Sequence, residues 1–286
     1  MLLKKLATTL EMIKWEHSIF ALPFALTGAM LAARGWPSMR QSVLIVLCMV
    51  TARTAAMSFN RWADAGLDAK NPRTANRAIP AGALSTAFVA GFTCVASVLF
   101  LICASQLNHL TLWLSPAVLA ILLGYSYTKR FTFLSHLVLG LALGLAPTLA
   151  WIAVRGSLDP RILALTGAVL LWVGGFDVLY ACQDEQHDRQ AGLKSLPVSF
   201  GTVGAFRTAR LMHLTMFCLL LWTIHIFGLS LSSYLGIAVV AILIVYEHLI
   251  VSPKDLRRMN AAFFLTNGMI SVVFFVSVAA DLLLHR

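Results

Sequence analysis

The sequence predicts an all-α polytopic membrane protein, nine transmembrane helices bundled around a central cavity, and three observations carry that reading. Hydrophobic residues make up 59% of the 286-residue chain and charged residues only 12%, about half of the roughly 25% usual for soluble domains. The mean hydropathy is +0.82. Apolar runs of membrane-spanning length, roughly 17 to 25 residues, recur along the chain with short polar interruptions.

Taken in order, the runs fall at 17–33, 41–59, 83–104, 110–128, 134–154, 161–180, 209–228, 232–251 and 261–284. No small-residue cleavage site follows Ala33, and Glu16 and His17 interrupt the flank of the first run, so it is expected to be a retained helix rather than a secretory signal. The whole of 1–286 reads as one transmembrane domain. The N-terminus and the loops after the second, fourth, sixth and eighth runs hold sixteen Lys and Arg; the opposite loops hold five, Arg34, Arg40, Arg155, Arg161 and Arg286. That bias predicts a multi-pass protein of a bacterial-type inner membrane with the N-terminus and the basic loops in the cytoplasm. It also accounts for the net charge of +10, because basic loops sit at an anionic leaflet. Nucleic acid is therefore not expected as a partner, and no protein partner is evident. The five cysteines form no CxxC pair and read as apolar packing residues.

Six of the twelve acidic residues sit in two short polar windows, Asn60-Arg-Trp-Ala-Asp64-Ala-Gly-Leu-Asp68 and Asp177-Val-Leu-Tyr-Ala-Cys-Gln-Asp184-Glu-Gln-His-Asp188. Carboxylates four apart project from one side of a helix, and such a cluster is costly beside hydrocarbon unless cations neutralise it. Both windows follow even-numbered runs, so they share a membrane face and are expected to meet over one cavity. Arg73, Arg77, Lys129, Arg130 and Lys194 fall on the same face. Together these groups describe a site for a divalent cation and a polyanion. Magnesium prefers a few carboxylates together with substrate phosphates, so a diphosphate fits. Ordinary positive-inside topology for the basic residues and a solvated loop for the acidic ones are the plainer alternatives.

Arg53, Asn60 and Asp64 repeat the seven-then-four spacing of Asp177, Asp184 and Asp188. Seven residues make nearly two helical turns, so each triplet lies along one stripe, and the match suggests two related halves. Arg53 lies inside the second run, where hydrocarbon is expensive for a guanidinium. It is expected to face the bundle interior, either paired with Asp177 or holding an anionic oxygen of a substrate. Asp177 carries the same two readings.

The motif Asn60-x-x-x-Asp64-x-x-x-Asp68, continued by Arg73-Thr-Ala-Asn-Arg77-Ala-Ile-Pro80-Ala-Gly82, resembles the first Asp-rich motif of the UbiA superfamily of intramembrane aromatic prenyltransferases. Tyr180-x-x-x-Asp184-x-x-x-Asp188-x-x-x-Gly192-Leu-Lys194-Ser195 resembles the second. Tyr125-Ser-Tyr127-Thr-Lys129-Arg130 resembles the segment that members carry after their fourth helix. The resemblance implies Mg2+ held by Asn60, Asp64, Asp68, Asp184 and Asp188, the four aspartates being the catalytic set. It further implies a polyprenyl diphosphate and an aromatic acid bound by Arg53, Asn60, Arg73, Arg77, Lys129, Arg130, Asp177, Tyr180 and Lys194.

The reaction so implied is ionisation of the allylic diphosphate, attack of an electron-rich ring on the cation, and loss of a ring proton. Water must be excluded, and the isoprenoid tail can leave sideways into the lipid bilayer. Of the flanking aromatics Phe59, Trp62, Tyr125, Tyr127, Phe176 and Tyr180, the last is the strongest candidate to face the cation. The implied acceptor is of the 4-hydroxybenzoate type, in ubiquinone or menaquinone biosynthesis. The opening Lys14-Trp15-Glu16-His17-Ser18-Ile19-Phe20-Ala21-Leu22-Pro23 is similar to relatives assigned to the futalosine route, which keeps aminodeoxyfutalosine as an alternative acceptor. An anion or metal transporter is the reading from a different class, but the acidic windows follow helix ends rather than broken midplane helices. The Asp-Gly-x-x-Ala-Arg signature of CDP-alcohol phosphotransferases is absent.

Overall fold

The computed structural model describes residues 2–14, 20–259 and 265–284, and apart from one isolated bridge between Ser252 and Asp255 its regular elements are helices. In chain order these are α1 (Leu2–Ile13), α2 (Leu22–Ala33), α3 (Met39–Ala63), α4 (Ala65–Asp68), α5 (Thr86–Ser105), α6 (His109–Thr128) and α7 (Ser135–Arg155). There follow α8 (Ile162–Ala181), a 3-10 turn (Cys182–Asp184), α9 (Glu185–Gln190), α10 (Leu196–Phe227), α11 (Leu231–Ile250) and α12 (Asn267–Leu284). Among the described residues, eight helices are long and apolar enough to cross a membrane, and α2 is a shorter apolar helix. The nine predicted runs are thus eight full-length helices plus α2, whose run begins among residues outside the described set.

The helix starts follow local chemistry. Ser38 and Gln41 form a reciprocal capping box at α3, and the side chains of Ser85, Asn108 and Ser195 accept first-turn N–H groups of α5, α6 and α10. α10 begins at Leu196, well before the apolar run near 209, because Ser195 caps it and Pro197 occupies its first turn. Arg207 and Arg210 conceal that first part from a hydropathy reading. Gly201, at φ 69° and ψ 166°, breaks the helix in between; only glycine adopts that backbone without strain. No apolar run announces α1, because it is amphipathic: Thr9, Met12 and Ile13 are buried while Leu10 and Glu11 are exposed.

α8 is the central helix, packed against α7 and α10. Its Trp172 and Phe176 rings meet edge to face at 5.3 Å, and Phe24 of α2 packs 5.1 Å from Trp172 and 5.6 Å from Phe274 of α12. α12 packs against α2 and brings the chain's end back to its beginning. Large side chains such as Trp113, Ile242 and Leu249 lie exposed on the outside, as expected where the surrounding medium is lipid.

Small residues set the closest helix crossings. A Cβ on Gly28 of α2 would lie 2.7 Å from the Cα of Pro147 in α7, closer than packed atoms tolerate. Gly28→Ala is expected to force α2 and α7 apart at an overpacking cost of about 1–3 kcal/mol, seen as a lower thermal midpoint of the detergent-solubilised protein. An unchanged midpoint would contradict this crossing.

Candidate active site

A cavity of about 910 Å³ opens where α3, α6 and α8 end and α7 begins. Its wall on α3 runs from Ile45 to Asp64, about 28 Å at 1.5 Å per residue, which is close to the roughly 30 Å of a bilayer's hydrocarbon. Polar side chains gather at one end, with Asn60, Asp64, Lys129, Asp184 and Asp188 among them. Leu107, Thr111 and Ala153 line the cavity towards the opposite ends of α6 and α7. The cavity therefore has a charged mouth and a long apolar arm.

The two acidic windows meet at that mouth, bridged by their own basic residues. Asp64 ends α3 and is buried; its Oδ2 accepts from Lys129 Nζ at 2.8 Å and from Asn60 Nδ2 at 3.2 Å. Arg130 donates to the Ala63 carbonyl at 2.7 Å and reaches Asp64 Oδ1 at 3.5 Å. Asp68, also buried, takes Arg77 Nη1 on both oxygens at 2.7 and 2.8 Å. Across the mouth, Arg73 grips Asp184 bidentately through Nε, at 2.8 Å, and through Nη2, while Asn71 Nδ2 donates to Asp184 Oδ1 at 3.2 Å. Burial alone would lower the pKa of Arg73, but its hydrogen bonds and charge pairing with Asp184 outweigh that and raise it. The same guanidinium lies over the Tyr180 ring, 5.5 Å from its centroid. Among the described residues Asp188 is the exception: it lines the mouth with no ion-pair or hydrogen-bond partner for its carboxylate.

Deeper in, the structure decides against one of the two readings of Arg53, the pair with Asp177. Asp177 does not pair with Arg53; its Oδ2 lies 2.7 Å from His136 Nδ1 on α7. Arg53 Nη2 donates instead to the Lys14 carbonyl at the end of α1, at 3.2 Å. That carbonyl directly follows the last residue of α1, where acceptors lack intrahelical partners. Both Arg53 and Asp177 still line the cavity, and the half-buried Tyr125 lines it with them.

Lys194 is not brought to the cavity. Its Nζ donates to the Phe131 carbonyl at 3.2 Å and its N–H to the Lys129 carbonyl at 2.7 Å, so it ties together the loops that carry Lys129 and Asp188. Of the six flanking aromatics, Tyr125, Phe176 and Tyr180 line the cavity. Phe59 packs on Trp62 and on Tyr127 instead. His17 lies outside the described residues. Sequence reasoning missed Arg61, Asn71, His136 and His187, all of which line the cavity; for His136 the available signal was a lone imidazole within an apolar run.

Fold and site together define an integral membrane prenyltransferase of the all-helical, intramembrane type. The chain belongs to the UbiA prenyltransferase family, whose sequence profile matches residues 21–269. It is 32% identical to the 4-hydroxybenzoate octaprenyltransferase of Pseudomonas fluorescens over 88% of this chain and 84% of that one. It is 29% identical to the enzyme of the same name from Aliivibrio fischeri, over 93% of each chain. The apo structure of a UbiA homologue from Aeropyrum pernix superposes with a TM-score of 0.85 at 32% identity, covering 93% of this chain and 98% of that one. A UbiA homologue from Archaeoglobus fulgidus, solved with DMAPP and Mg2+, shares the fold at TM-score 0.74 and 19% identity, over 96% and 99% of the two chains.

Proposed function

We propose that this enzyme transfers a polyprenyl group from its diphosphate to an aromatic acid of the 4-hydroxybenzoate type, as a magnesium-dependent step of respiratory quinone biosynthesis. The single observation that carries this reading is the junction of the two acidic windows at one mouth, with Arg73 of the first loop gripping Asp184 of the second. Two relatives named 4-hydroxybenzoate octaprenyltransferase support the choice of acceptor. The lysine and arginine bias supports a mouth that faces the cytoplasm.

The donor set suits magnesium. Magnesium is usually held by one or two carboxylates together with substrate phosphates and water rather than by an all-protein cage, and the mouth offers oxygen donors from both acidic windows. Asp64, Asp68, Asp184 and Asp188, with Asn60 beside Asp64, are the groups that would hold it. When bound, magnesium supplies charge that offsets the negative charge growing on the departing diphosphate. Arg73, Arg77, Lys129 and Arg130 can exchange their carboxylate partners for phosphate oxygens. The apolar arm takes the isoprenoid chain and keeps water from the allylic cation. Arg53 and Asp177, facing one cavity from α3 and α8, would hold the aromatic acid by its carboxylate and its hydroxyl.

Purified protein given magnesium and a polyprenyl diphosphate is expected to release diphosphate only when a hydroxybenzoate is added, with a prenylated acid found by mass. Adding EDTA should stop the release. Full turnover in EDTA, or diphosphate release indifferent to the acid, would sink the reading. Running aminodeoxyfutalosine in parallel tests the acceptor.

A further inference from the structure

His136 opens α7 nearly fully buried, between the cavity and the second acidic loop, and its two ring nitrogens have fixed roles. The backbone N–H of Leu196, in the first turn of α10, points at Nε2 from 3.3 Å. A backbone N–H can only donate, and it has no acceptor within its own helix, so Nε2 accepts and the ring proton sits on Nδ1. That proton is directed at Asp177 Oδ2, 2.7 Å away. The side chain of His136 is 5% exposed, while that of Asp177 is 27% exposed and lines the cavity. One oxygen of Asp177 is thus tied to a buried neutral imidazole, while the rest of the carboxylate faces the space where an aromatic acid would lie.

We infer that His136 is a positioning residue: locked in its Nδ1–H tautomer by the start of α10, it fixes the rotamer of Asp177 so that the carboxylate meets the hydroxyl of the aromatic acceptor. This rests on the acceptor chemistry proposed above. The order of the chain gives the contact a further property. Leu196 directly follows Ser195, which closes the second acidic loop and caps α10, so the imidazole links the loop carrying Asp184 and Asp188 to the Asp177 carboxylate. A purely structural pair would have no need to leave its acid facing the cavity.

Glutamine can reproduce both hydrogen bonds, its carbonyl accepting from Leu196 and its amide donating to Asp177, whereas asparagine is too short to span them. His136→Gln is therefore expected to keep nearly full activity. His136→Asn should lose roughly 10- to 100-fold in kcat/KM for the aromatic acid, the range that misplacement of a reacting group produces, with KM for the prenyl diphosphate unchanged. In an Asp177→Asn background, His136→Asn should add no further loss, because the two residues act as one unit. Steady-state kinetics of wild type, both His136 variants, Asp177→Asn and the double variant, each checked for a monodisperse peak in detergent, decide the matter. Equal activity of His136→Asn and wild type, or losses that multiply in the double variant, would overturn the positioning role alone. A wild-type enzyme that prenylates no hydroxybenzoate would overturn the reaction, and this role with it.

Discussion

Asp188→Ala should abolish most turnover while leaving the fold untouched. Its carboxylate lines the mouth without a direct ion pair or hydrogen-bond donor among the described residues, so removing it breaks no direct polar contact of that side chain. If the group holds magnesium against a diphosphate, its loss removes charge stabilisation where charge develops, and single groups of that kind are worth about 10²- to 10³-fold in kcat. Asp64→Ala should lose at least as much for a mixed reason. It removes a ligand and also frees Lys129 and Arg130, which ion-pair with it at 2.8 and 3.5 Å. Those side chains are 33% and 39% exposed while that of Asp64 is 3% exposed, so water can solvate the freed cations and the cost to stability should stay below the roughly 3–5 kcal/mol of breaking a fully buried pair. The measurement is diphosphate release as a function of magnesium concentration, beside a thermal midpoint for each variant. A midpoint that collapses in Asp188→Ala, or turnover that survives it at ordinary magnesium, would remove that carboxylate from the proposed site.

The ion pairs explain how a cluster of carboxylates is neutralised at the mouth by the protein's own cations. Each buried aspartate has a partner from a nearby basic loop: Arg77 for Asp68, and Lys129 with Arg130 for Asp64. Breaking such pairs costs little if the incoming ligand brings both a cation for the acids and phosphate oxygens for the bases. The exchange is balanced in charge, which a free metal ion or a free phosphate alone would not achieve.

Much of this arrangement was legible in the sequence. Membrane helices announce themselves by apolar length, and the parity of the loops is enough to put Asp64 and Asp184 on one face. Parity could not supply partners, because an ion pair depends on side-chain reach. Arg73 lies close to Asp68 in sequence, yet it bonds Asp184 across the mouth. Hydropathy also failed where polar residues sit inside regular structure: α10 begins at Leu196, and its early arginines conceal it. The pairing of His136 with Asp177 was hidden for a related reason. Each is a single polar residue in a different apolar run, and only the packing of α7 on α8 shows that they face each other.

Arg53→Leu is expected to raise KM for the aromatic acid by about 10- to 150-fold, the equivalent of one hydrogen-bonded charge contact at roughly 1.5–3 kcal/mol. KM for the prenyl diphosphate should hold steady, because Arg53 sits nearly two turns below Asn60 on α3, away from the mouth. Arg53→Lys should rescue only in part. Arg53 Nη2 donates to the Lys14 carbonyl, and a planar guanidinium matches a carboxylate with two parallel N–H bonds. An ammonium is a point donor on a shorter reach and lacks that planar fork. The acceptor itself supplies the second axis of the test. A hydroxylated ring without a carboxylate should bind wild type and Arg53→Leu equally weakly, since such a ring offers the guanidinium no anionic oxygen to hold. If the decarboxylated ring instead discriminates between the two proteins as strongly as the acid does, Arg53 acts through α1 or the cavity wall rather than by holding the acid.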